Sequence, residues 1–165
     1  MFNSTLPALG LLCLAATAAQ AAPAKLLGEF AQWRAAAVDE TDGKRCFILS
    51  TPAAEAPTSL RHGDVYFFVK TADGDGKTES SFQTGYDFAR DSMVKVTIGE
   101  ESFQMLTQGS NAWLRRLERE PELLAAMRAG SQMVLEARSA RGNETSYTFS
   151  LAGVTAASRL LDRCD

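Results

Sequence analysis

The chain reads as a mainly β protein: an antiparallel β-sandwich of about eight strands with two short α-helices, a partly open β-barrel being the alternative. Three observations predict this. Apolar and polar residues alternate with period two in several separate segments. Turn-forming pairs such as Asp42-Gly43 and Gly142-Asn143 fall between such segments. Helical spacing appears only twice, without the strand-helix-strand alternation that a parallel sheet requires.

Taken in order, Phe30–Val38 and Arg45–Ser50 read as paired strands around Asp42-Gly43, although Ala35–Ala37 favour helix by propensity. Residues 51–64, TPAAEAPTSLRHGD, read as a loop punctuated by Pro52 and Pro57. DVYFFVKT is a short apolar run with apolar residues at both parities, which predicts a central strand covered on both faces. After the polar turn ADGDGK, Phe82, Thr84, Tyr86 and Phe88 share one parity of a further strand. Val94, Val96 and Ile98 share a face in Met93–Ile98, and Gly99-Glu100-Glu101 turns the chain into Ser102–Thr107. In REPELLAAMRAGS, Pro121 suits the first helical turn and Leu123, Leu124 and Met127 form an apolar stripe that ends at Gly130. Two period-2 segments, Met133–Arg138 and Thr145–Leu151, flank Arg141-Gly142-Asn143 and predict a hairpin turning there. A second helix is expected over Thr155–Arg163, with Leu160 and Leu161 turned inward.

The first residues carry a different signal. Residues 1–21 contain no charged side chain, and an apolar run from Leu6 to Ala19 ends at Ala19-Gln20-Ala21, a small-x-small cleavage site. The run is shorter than the roughly 20 residues a membrane span needs, so it is expected to be a cleaved secretory signal rather than an anchor. Residues 22–165 are then expected to form a single β domain with no integral membrane span. The 17 basic and 20 acidic residues give a net charge of −3, without the clustered positive charge of a nucleic-acid binder. Cleavage also removes Cys13 and leaves Cys46 and Cys164, which in an exported chain read most simply as one disulfide.

Several segments together resemble one family. They are Cys46-Phe47-Ile48 with the following Ser-Thr-Pro, GDVYFFV at Gly63–Val69, and Gly85-Tyr86-Asp87-Phe88. VTIGEESFQMLTQGSNAWL at Val96–Leu114, AMRAGSQMVLEARSARGNETSYTFSLAGVTAA at Ala126–Ala157, and Cys164 complete them. This set resembles the invasion-associated locus B family of bacterial exported proteins. The resemblance implies a periplasmic, secreted or cell-surface protein of a Gram-negative bacterium, with no established enzymatic activity and a link to host-cell entry in the member that gave the name. It also supports pairing Cys46 with Cys164. Relatives often place Arg directly before Gly-Asp, whereas His62 intervenes here in Arg61-His62-Gly63-Asp64, which argues against an adhesive Arg-Gly-Asp motif.

Candidate chemistry is sparse. His62, the only histidine, reads as a solvated loop residue, since no second nitrogen ligand stands at metal-binding spacing. Asp73–Glu79 has the look of a calcium loop but lacks its third ligand and distal glutamate, so a polar turn is expected. Arg115, Arg116 and Arg119 are interleaved with Glu118, Glu120 and Glu122, which predicts a solvated mixed-charge face, and Trp113 reads as a core anchor. No metal and no cofactor is expected. The expectation is a non-enzymatic envelope protein that binds another protein or a surface component through loops. The candidate loops are Arg61, His62 and Asp64 on one side and Arg141, Gly142 and Asn143 on the other. A small periplasmic hydrolase or an enzyme inhibitor is the alternative.

Overall fold

The structure, a computed structural model, describes residues 23–41, 43–73 and 77–164. The expected signal at residues 1–21 and the turn residues Asp42 and Gly74–Gly76 lie outside the described residues. Among the described residues eleven strands form one antiparallel sheet: β1 (Lys25–Phe30), β2 (Trp33–Glu40), β3 (Gly43–Ser50), β4 (Ala54–Ala56), β5 (Tyr66–Thr71) and β6 (Thr78–Gln83). They continue as β7 (Met93–Ile98), β8 (Glu101–Gln108), β9 (Asn111–Leu114), β10 (Gln132–Arg138) and β11 (Glu144–Ser150). Two short α-helices, α1 (Glu120–Ala129) and α2 (Val154–Ser158), and single 3-10 turns at Leu117–Arg119 and Leu161–Arg163 complete the described elements.

The order across the sheet is β1-β2-β3-β5-β6-β9-β8-β7-β10-β11-β4. The sheet is open, since β1 and β4 pair on one side only. It nevertheless curls until its two halves face each other. Phe67 and Phe82 from one half meet Phe149 from the other at ring-centroid distances of 6.0 and 6.3 Å. Trp33 on β2 donates its indole N–H to the Ser150 carbonyl at 3.0 Å, joining strands far apart in sheet order. The core between the halves collects the inward parity of each strand, including Ile48, Val69, Val96, Met105, Leu135 and Phe149.

The mainly β, antiparallel class with two short helices is as expected, but there are eleven strands rather than about eight. The three extra ones have physical reasons to be quiet in sequence. In β1, Gly28 breaks the pattern at a register shift between Leu26 and Gly28. The three-residue β4, Ala-Glu-Ala between two prolines, has little intrinsic β preference and is formed by pairing with β11. The four residues of β9 are too few to display a period. The β2–β3 turn also sits one residue earlier than expected, because Glu40 pairs with Gly43.

Two further expectations are corrected. The DVYFFVKT strand is covered on one face only: Phe67 and Val69 are buried, whereas Tyr66 and Phe68 are half-exposed. Its outer face is an aromatic patch instead, Phe68 lying 6.2 Å from Phe47 and 5.8 Å from Tyr66. The strand expected through Phe88 ends at Gln83, and residues 84–90 form a loop with a single bridge from Phe88 to Ser139. The hairpin predicted around Arg141–Asn143 is present as β10 and β11 in unbroken register.

The C-terminus is tied down twice. Cys164 follows α2 and is disulfide-bonded to Cys46 on β3, 118 residues away. Leu161 of the same segment is buried in the hydrophobic core. Helix α1 is held by its first residue. Glu120 is 4% exposed, and Ser80 on β6 donates its N–H to Oε1 at 2.8 Å and its hydroxyl to Oε2 at 2.7 Å. Burial raises the Glu120 carboxyl above its ordinary range, outweighing the Ser80 bonds that favour the charged form.

Two outcomes follow from these anchors. Because folded Glu120 holds its proton more tightly than the unfolded chain does, its contribution disappears as pH climbs from the ordinary carboxyl range through the raised value. The protein should therefore lose stability on that rise relative to Glu120→Gln, as measured by urea unfolding; parallel pH profiles would contradict this. Replacing Cys46 and Cys164 by serine should cost about 2–5 kcal/mol in the same measurement, since a long loop is then released in the unfolded chain.

Candidate functional site

The site is built where two backbones touch. Gly63 has φ 69°, a left-handed conformation, and its Cα lies where a Cβ on Gly85 would stand only 2.6 Å away. That same Cβ would lie 2.7 Å from the His62 carbonyl oxygen. Only glycine at both positions lets the loop before β5 lie against the loop after β6.

A third segment joins them. In the β10–β11 turn, Gly142 has φ 84° and donates its N–H to the Ser139 carbonyl at 2.8 Å, while the Asn143 N–H donates to Ser139 Oγ at 3.1 Å. The Ala140 N–H donates to the Asp87 carbonyl at 2.8 Å, and the Ala89 N–H to the Arg138 carbonyl at 2.9 Å. The turn is thereby pinned to the loop that carries Gly85.

Between these segments lies a cleft of about 480 Å³. Arg61, His62, Arg141 and Asn143 all line it, so the two loops marked out in the sequence as separate candidates belong to one place. Gly142 shapes the turn without lining the cleft, and exposed Asp64 stands outside it. Sequence reading missed Tyr86, Asp87 and Thr145, which line it as well. Tyr86 and Thr145 were read only as members of a strand parity.

His62 is not the solvated residue expected. It is 5% exposed, and Nε2 donates to the Pro57 carbonyl at 3.0 Å while Nδ1 lies 2.8 Å from the Tyr147 hydroxyl. The reason is its long-range partner: Tyr147 on β11 stands beside this loop and holds the ring inside. From Tyr147 the chain of contacts runs to the Tyr86 hydroxyl at 3.0 Å, to Thr145 Oγ1 at 2.6 Å and to the Ala137 carbonyl at 3.2 Å. The terminal carbonyls can only accept, so a proton must point outward at each end. Burial, followed by the bond to Tyr86, pushes the Tyr147 phenol up, which keeps it a donor.

Other candidates resolve differently. Trp113 is half-exposed on the outer face of β9, and fully buried Trp33 is the core anchor instead. The mixed-charge face is present: Arg116 pairs with Glu118 at 2.9 Å and Arg119 with Glu122 at 2.7 Å. Glu120 leaves that face for the interior, and Arg119 stacks over Phe103 at 4.4 Å. Among the described residues no group of histidine, cysteine and carboxylate side chains is arranged to hold a metal ion. No helix among them is long and apolar enough to cross a membrane. A second cavity of about 600 Å³ lies beside α1, with Leu117, Pro121 and Leu124 on its wall. Glu120 also borders it, but both carboxyl oxygens are bonded to Ser80.

Tyr147→Phe should destabilise the protein by about 1–3 kcal/mol, because it leaves His62 Nδ1 and the Tyr86 hydroxyl short of a buried partner. Chemical denaturation checks this, and a change below about 0.5 kcal/mol would mean the chain is not held as described.

Comparison with known proteins bears on the same segments. The crystal structure of invasion associated protein B from Bartonella henselae superposes with a TM-score of 0.59 at 16% identity, covering 81% of this chain and 94% of that one. At that identity the likeness is one of fold. No curated protein matches the chain. The family model for invasion associated locus B (IalB) protein matches residues 33–162, a span that holds the cleft, both of its loops and all but the last turn of the disulfide-tied end, and this chain belongs to that family.

Proposed function

We propose that this IalB-family protein is an exported, non-enzymatic module of the Gram-negative envelope, periplasmic or at the cell surface, that binds a partner in the cleft between Arg61 and Arg141. One observation carries the reading: two loops some 80 residues apart in sequence converge on one cleft, fixed by backbone contact at Gly63 and Gly85. A preformed cleft limits the entropy lost on binding, which is how a rigid scaffold with functional loops gains affinity. The single histidine is committed to Tyr147 and Pro57 and is not presented to the cleft as a free base. The disulfide between Cys46 and Cys164 suits an oxidising compartment and supports export. The name of the family adds a host surface to the partners to be tested.

A hydrolase reading draws on Glu120, a buried carboxyl with a raised pKa beside an apolar cavity, as a general acid would be. Its two oxygens are held by Ser80, which favours the structural role assigned above.

Crosslinking of the native protein in intact cells tests the binding reading. Species captured by the parent should be lost with Arg61→Gln/Arg141→Gln, while expression and melting temperature are unchanged. Identical capture by the double variant would reject the cleft as the binding site.

A further inference from the structure

We infer, resting on the binding reading above, that the cleft takes an acidic saccharide, a sugar carrying a carboxylate or sulfate group. The first reason is how the arginines are used. Arg34, Arg45, Arg116, Arg119 and Arg138 are each paired with a glutamate at 2.7 to 3.4 Å. Arg61 and Arg141 are among seven arginines that make no ion pair among the described residues, and they are the two that line this cleft, from opposite loops. Exposed guanidinium groups flanking a concavity offer paired N–H donors to a planar or tetrahedral oxyanion.

The second reason is what stands between them. Ser59 and Asn143 line the same cleft with groups that both donate and accept, and the Asp87 wall brings a carboxylate that only accepts. Hydroxyl groups of a sugar supply the donors that these acceptors need. Leu60, Ala140 and the ring of Tyr86 add apolar wall, against which the carbon face of a sugar ring can pack. Asp87 and the overall charge of −3 also weigh against a densely charged chain such as polyphosphate or nucleic acid. A volume of about 480 Å³ lies within the usual range for small-ligand sites and accommodates a short oligosaccharide.

Titration calorimetry on the disulfide-intact protein tests this with four probes: oligogalacturonate for carboxylate, a heparin-derived octasaccharide for sulfate, neutral maltooctaose, and polyphosphate. At least one of the two acidic sugars should bind, more weakly as salt rises, and maltooctaose should not. Which acidic sugar binds identifies the anionic group. Arg61→Gln/Arg141→Gln should weaken binding about 10- to 100-fold with unchanged melting, as expected for lost charge-assisted bonds. Arg34→Gln, which is paired with Glu29 and lies outside the cleft, should leave it intact. Equal binding of maltooctaose, tightest binding of polyphosphate, or no effect of the double variant would overturn the inference. If neither acidic sugar binds while crosslinking in cells still depends on Arg61 and Arg141, the saccharide is overturned and the cleft reading stands.

Discussion

Tyr147 is the residue on which both the fold and the cleft turn. Its ring lies 5.4 Å from that of Phe82, across the space between the two halves of the sheet, and is wholly buried. Its hydroxyl sits between His62 and Tyr86, each on a different loop. The apolar body of one side chain thus closes the sheet over its core while the polar tip fixes the loops that line the cleft. The phenol is buried and bonded to both, which makes the arrangement specific as well as stable.

The rest of the molecule keeps that arrangement rigid. The disulfide ties the C-terminal segment to β3, and Ser80 ties α1 to β6 through both oxygens of Glu120. Glycines at 63 and 85 permit a backbone approach that a single added methyl would block. With the supports spent on buried groups, the polar side chains left facing solvent in the cleft are the two arginines, Asp87 and their hydroxyl and amide neighbours. Rigid floor and charged rim therefore have separate origins in sequence, and substitutions at the rim leave the core untouched.

Much of the fold was legible because period-2 alternation reports a half-buried sheet directly, as in Val94-Val96-Ile98 and Thr145-Tyr147-Phe149-Leu151. The short strands β4 and β9 were not, since their pairing is imposed by neighbours rather than by their own residues. Both arginine-bearing loops were visible as turns, but nothing local indicates that residue 61 and residue 141 meet. That fact is set by sheet order, and the only trace it leaves in the sequence is a pair of glycines, Gly63 and Gly85, whose contact is long-range. His62 was misread for the same reason: a lone histidine beside Gly-Asp looks solvated until the partner Tyr147, 85 residues on, is placed beside it.

The most direct test of this account is nuclear magnetic resonance of the His62 ring at neutral pH in the intact protein. A docked loop predicts a ring N–H that exchanges slowly with water and shows magnetisation transfer to Tyr147, because that ring is buried and bonded at both nitrogens. A ring N–H in rapid exchange with water and without contact to Tyr147 would mean that the loop is free and the cleft is not preformed.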